Sequence, residues 1–204
     1  MTEARVGRVV VAALHEALAT QLPLRLEFYE TYLRPMGMRA GRIGAASFTA
    51  ALSFLRREPG AYDPVVRQAG ALAARWTYDA EQRLRRAVWE RLPDGARRRW
   101  ALTLASKLVD GTLRGARGRL DGPRRARRLV ITGSPFCDLR QPAAGPMCGF
   151  YVAALEQFLE LLEVPATVEV AGCRAMGHET CAYALVSREV APAPDEARPE
   201  RMLT

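Results

Sequence analysis

The stretch Cys148–Val186 reads CGFYVAALEQFLELLEVPATVEVAGCRAMGHETCAYALV, and the rest of the chain is read outward from it. Cys148 opens an amphipathic run with apolar residues at helical spacing. The run passes into a valine-rich strand that ends at Cys173. A short loop with Gly177 and His178 follows, and Cys181 opens a second strand. Three of the four cysteines therefore sit at the ends of a helix and two strands. A cysteine at a helix start is favoured as thiolate by the free N–H groups and the helix dipole. Cys173 and Cys181 lie at the two ends of a hairpin loop, so both can point at one spot.

Upstream, apolar residues at Val6, Val9, Val10, Ala13, Leu14, Ala17 and Leu18 predict a helix over Val6–Gln21. Pro23 breaks it, and Leu24–Leu33 continues as a second short helix. Pro35–Gly44 is a turn-rich connector. Ala45–Arg57 is helical, and Asp63-Pro64 marks the cap and start of a helix toward Tyr78. Further helices are predicted over Ala80–Leu92 and Ala96–Asp110, separated by a Pro93-Asp94-Gly95 turn. The character then changes. Gly111–Arg119 and Arg127–Thr132 read as strands around an Asp121-Gly122 turn, and Gly133–Met147 is a loop with three prolines. Helices first, then strands with one helix between them, predict an α+β fold with helices packed on a small, largely antiparallel sheet. One domain is expected over residues 1–189, with a disordered proline- and charge-rich tail over 190–204.

Composition bounds the function. No apolar run approaches the roughly 18 residues needed to span a membrane. Glu3, His15 and Glu16 interrupt the signal-like start, so a cytoplasmic protein is expected. In a reducing compartment four clustered cysteines point to metal rather than to a disulfide framework. The net charge is +8, almost all from arginine, with Lys107 the lone lysine. Arginines cluster at Arg97–Arg99 and at Arg124, Arg125, Arg127 and Arg128. No aromatic residues interleave with the second cluster, so solvated surface is expected before an anion patch, and nucleic acid is not the expected partner. Dinucleotide, Walker and G-x-S-x-G motifs are absent from the sequence, and an enzyme is not expected.

The pieces Cys148, Cys173, Arg174, Ala175, Met176, Gly177, Cys181 and Tyr183, with the upstream LVITGSPF, resemble the signature of the vinyl-4-reductase domain family. The likeness covers about Leu129–Val186. It implies the α+β fold shared with subunits of the TRAPP trafficking complex. It also implies a structural zinc held by three cysteines and a glutamate. Here Val170 stands at the glutamate position. The cysteine ligands would be Cys148, Cys173 and Cys181. His178 and Glu169 compete for the fourth place, since Glu169 shares a face with Cys173 in a regular strand. Glu179 is less well placed, and Cys137 is a fourth thiol ahead of the site.

The resemblance further implies an enclosed hydrophobic cavity, for which Trp76, Trp100 and Phe136 are the candidate lining residues. The expected function is a non-catalytic binding or sensor domain for a small hydrophobic or aromatic ligand. Two alternatives stand beside it. One is a tetrapyrrole carrier assisting bacteriochlorophyll vinyl reduction. The other is a homodimeric protein-interaction module like the trafficking subunits.

Overall fold

The computed structural model describes residues 5–33, 43–82, 92–123, 126–139 and 141–187. Most of the expected helix over Ala80–Leu92, with Trp89, lies outside the described residues, as do Arg124, Arg125 and the expected tail.

The described residues start with a two-residue strand, β1 (Arg5–Val6), before helix α1 (Arg8–Gln21). β1 pairs antiparallel with β2 (Ile43–Gly44), a contact of two residues each that local periodicity does not reveal. α1 buries Val10, Val11, Ala13, Leu14, Ala17 and Leu18, whereas Val9 faces outward. Pro23 starts a 3₁₀ turn over Pro23–Arg25, and α2 (Leu26–Leu33) follows. α3 is Ala45–Leu55 and α4 is Tyr62–Gln82. Asp63 lies inside the first turn of α4, two residues beyond where a cap would stand, and its charge suits the positive helix start. α5 (Asp94–Asp110) takes in the expected Asp94-Gly95 turn, because Pro93 caps the helix rather than breaking it.

The second half carries the sheet. β3 (Arg117–Asp121), β4 (Arg128–Thr132), β5 (Ala166–Gly172) and β6 (Cys181–Ser187) form one antiparallel sheet in the order β3-β4-β6-β5. Between β4 and β5 runs α6 (Gly149–Leu161). This is the α+β arrangement expected, helices first and antiparallel strands after.

α6 is apolar on nearly every side, burying Phe150, Tyr151, Val152, Ala154, Leu155, Phe158 and Leu159. A helix of that composition must be enclosed. It packs against α4 and α5 and touches β5, while α5 lies along β3 and β4. On α4 the small residues Ala69, Gly70, Ala73 and Ala74 are all buried. A Cβ at Gly70 would stand 2.0 Å from the Phe150 carbonyl oxygen, so only glycine allows this approach.

Among the described residues no single helix is long and apolar enough to cross a membrane. α1 with the segment through α2 has the length only as a pair bent by 115°, and the apolar side of α1 is spent on the core.

Candidate metal centre

The inner side of the sheet is set by cross-strand pairs. Leu129 pairs with Tyr183 and Ile131 with Cys181, and all four are buried. Cys181, the first residue of β6, therefore points toward the helices. On the neighbouring strand the alternation is interrupted. Val170 pairs with Tyr183 but Gly172 pairs with Ala182, so Ala171 is an extra residue, a β-bulge. The bulge reverses the parity of everything after it. Glu169 lies opposite Ala184 and is exposed, while Cys173 turns inward beside Cys181. The turn between the two cysteines is closed by Met176 N–H and His178 N–H donating to the Cys173 carbonyl, at 3.0 and 3.3 Å. Gly177 takes the left-handed conformation, φ +93°, that ends the 3₁₀ turn Arg174–Met176.

Cys148 is the N-cap residue of α6. Cys137 comes from the 133–147 loop, which the helical half holds in place. Arg56, at the end of α3, donates from Nη2 to the Phe136 carbonyl at 2.9 Å. The Tyr62 hydroxyl lies 3.2 Å from both the Phe136 and the Met147 carbonyl oxygens, tying the two ends of the loop together. The Phe136 ring stacks on Phe150 at 4.4 Å and meets Phe48 and Tyr151 edge-on. On the far side, Ala143 N–H donates to the Ala175 carbonyl at 2.7 Å.

These supports bring all four cysteines to one place. The Sγ atoms of Cys137, Cys148, Cys173 and Cys181 lie within 4.8 Å of one another, and no residue of the four is more than 1% exposed. Cys173 and Cys137 sulfurs are 3.7 Å apart. A tetrahedron of sulfurs about 2.3 Å from a central zinc has an edge of about 3.8 Å, so the spacing suits one ion. The cysteines are free rather than disulfide-linked.

The thiols also share protons. Cys181 accepts from Cys137 most strongly, then from Cys148, and the Arg174 N–H approaches its sulfur at 3.4 Å; its pKa is drawn well below the ordinary thiol value. Cys137 is pushed far up, first by holding its proton toward Cys148 and Cys181 and then by burial. Four soft sulfur donors in a closed, buried set fit zinc in a structural role.

Cys148, Cys173 and Cys181 are thus brought together, and the fourth group in the cluster is Cys137. His178 and Glu169, the expected alternatives for that place, are exposed and outside it, as is Glu179. For Glu169 the cause is the bulge at Ala171. His178 lies toward the outer side of Gly172, whose Cβ, if present, would be 3.5 Å from the imidazole. Cys137 lies 11 positions from Cys148 in a proline-rich loop, and only the count of thiols in the chain hinted at it.

The candidate pocket residues are dispersed in their roles. Phe136 is wholly buried in the aromatic packing described above. Trp76 on α4 and Trp100 on α5 are partly buried against the core, with the Lys107 ammonium 5.6 Å from the centre of the Trp100 ring. None of the three lines either of two clefts. The larger, of about 650 Å³, lies between α4, α6 and β5. Its apolar floor is Ala71, Ala153, Leu159, Val164 and Ala166, and an Arg67–Glu156 ion pair of 2.6 Å stands at its rim. The second, of about 540 Å³, lies on the outer side of the sheet.

No family model matches the sequence, and no curated protein does. Among solved structures, the chain is similar to an H-NOX protein from S. oneidensis in the Fe(II)NO ligation state. The TM-score is 0.52 at 9% identity, covering 90% of this chain and 99% of that one. A likeness at this identity establishes a shared fold.

Proposed function

We propose that the chain is a small-ligand binding or sensor domain of the vinyl-4-reductase type, pinned by a structural zinc on Cys137, Cys148, Cys173 and Cys181. The observation that carries the reading is the convergence of four buried sulfurs from a loop, a helix start and two strand ends. Three of these are the cysteines of the family signature. Cys137 supplies the fourth ligand that Val170, at the family's glutamate position, lacks. The zinc would add no open coordination position, so its work is to hold the sheet, α6 and the 133–147 loop together.

Ligand binding is supported by the shared fold with a protein solved in an Fe(II)NO ligation state. The place for a ligand is the cleft between α4, α6 and β5 rather than the Trp76, Trp100 and Phe136 side chains. Its apolar floor takes an aromatic ring and its rim, Arg67 and Glu156, takes a polar substituent. The same likeness favours a second reading, a tetrapyrrole carrier. Of the two histidines in the chain, His15 bonds Glu30 at 2.8 Å and His178 is exposed.

Two measurements test the proposal. Purified protein should hold one equivalent of zinc, and stripping it with a strong chelator should lower the melting temperature by about 10 °C or more. Zinc-loaded protein should then show saturable melting shifts with substituted phenols, lost in Ala71→Phe, which fills the cleft floor. A Soret-type band on adding a porphyrin, without any phenol response, selects the carrier. Absence of both responses refutes the ligand-binding reading and leaves the zinc site standing.

A further inference from the structure

The outer side of the sheet carries a feature the cysteine site does not use. Residues two apart on a strand share a face, and antiparallel partners share it too. Arg117 pairs with Thr132, Arg119 with Val130 and Asp121 with Arg128, so all six stand on one side. Val130 pairs onward with Ala182, which places this side opposite the buried Cys181. Val130 and Ala182 are small, so the middle of the sheet is low and the arginines rise around it. The result is the concavity of about 540 Å³, which also reaches Thr180 and Glu179.

The charges in it are unevenly matched. Arg128 lies 3.6 Å from Asp121. Arg117 donates to the Ala116 carbonyl beside it at 2.9 Å. Among the described residues no carboxylate pairs with Arg117 or Arg119. Arg119 sits between Arg117, two residues along its own strand, and Arg128, diagonal across the ladder, at spacings of about 7 Å. Three arginines thus line one concavity, with Asp121 the carboxylate paired to one of them. Edge-strand arginines also deter strand pairing, and that role needs no cleft and no hydroxyls. Here Thr132 and Thr180 supply hydroxyl donors at the same floor.

We propose that this concavity binds a small phosphate-class oxyanion, a phosphate or diphosphate group, through Arg117, Arg119 and Arg128. Guanidinium forks match phosphoryl oxygens on several sides at once. The two carboxylates decide between an isolated group and a polymer. Asp121 closes one end of the arginine row and Glu179 lies beyond Thr180 at the other, so a continuous phosphate chain would meet negative charge at both exits. The site stands independently of the zinc and of the α4–α6 cleft.

Calorimetric titration of the zinc-loaded full chain with inorganic pyrophosphate, at fixed ionic strength, tests this. Saturable binding is expected, weakened about tenfold or more in Arg117→Gln/Arg119→Gln. Both side chains are exposed, so zinc content and the melting temperature without added anion should stay at wild-type values. The proposal is overturned if wild type shows no saturation by about 10 mM pyrophosphate, a weak limit for a multidentate site. It is equally overturned if the double variant binds as wild type does. A random DNA duplex bound more tightly than pyrophosphate, and lost in the double variant, would overturn it in favour of a nucleic-acid surface.

Discussion

Cys137 is the residue on which the site turns. It sits next to Phe136, whose ring is locked between Phe48 and Phe150, and whose carbonyl receives Arg56 and faces Tyr62. Its sulfur is therefore placed by α3, α4 and α6 together, not by its own loop. Cys137→Ser should lower zinc affinity by about 100-fold or more, because one thiolate of four is replaced by a poor donor. His178→Ala and Glu169→Gln should leave zinc content at one equivalent. Metal analysis after dialysis against a competing chelator separates these outcomes.

Tyr29 makes a second prediction at this scale. Its hydroxyl is buried without a hydrogen-bond partner among the described residues, and burial first, then the Glu58 charge, pushes its pKa from 10.0 up to about 12. A phenol whose folded pKa is raised stabilises the fold fully below the unfolded value and loses that contribution as pH rises through the folded one. The melting temperature should therefore fall between about pH 10 and pH 12. Tyr29→Phe should be within about 1 kcal/mol of wild type at neutral pH and should make the alkaline fall shallower. Tyr62, Tyr151 and Tyr183 are shifted upward by burial as well, so some of the fall remains.

Among the elements, β5 carries the least visible information. Alternation along VEVAGC places Glu169 and Cys173 on one face, and the bulge at Ala171 separates them. A bulge is set by pairing with the neighbouring strand, so no local pattern announces it. Deleting Ala171 should remove the bulge yet leave Gly172 opposite Ala182 and Cys173 on the inner face, so bound zinc should stay at about one equivalent. Zinc content with the far-ultraviolet spectrum checks this; loss of the zinc from a folded variant would show that Ala171 is not the extra residue and that Cys173 is aimed some other way. Other elements were legible for clear reasons. α6 is apolar on nearly every side and is capped by Cys148, while β4 and β6 are short apolar runs bounded by turns. The β1–β2 pairing was not, since it joins two residues to two across about 38 positions. Pro93 read as part of a turn because a proline before a helix and one within a loop look alike locally.

Over the whole molecule, the helical half and the sheet meet at the cysteines. α4 reaches α6 across Gly70, and Tyr62 at the start of α4 holds both ends of the loop that delivers Cys137. Three of the four sulfurs were marked by sequence spacing at helix and strand ends. The fourth became part of the set only through contacts about 75 to 85 residues apart in the chain. A metal at this junction would couple the two halves, so its loss should loosen both. X-ray absorption at the zinc edge of the purified protein tests this most directly. Four sulfur neighbours at about 2.3 Å are predicted. A shell with a nitrogen or oxygen neighbour at about 2.0 Å would contradict the four-cysteine site and return His178 or Glu169 to the fourth place.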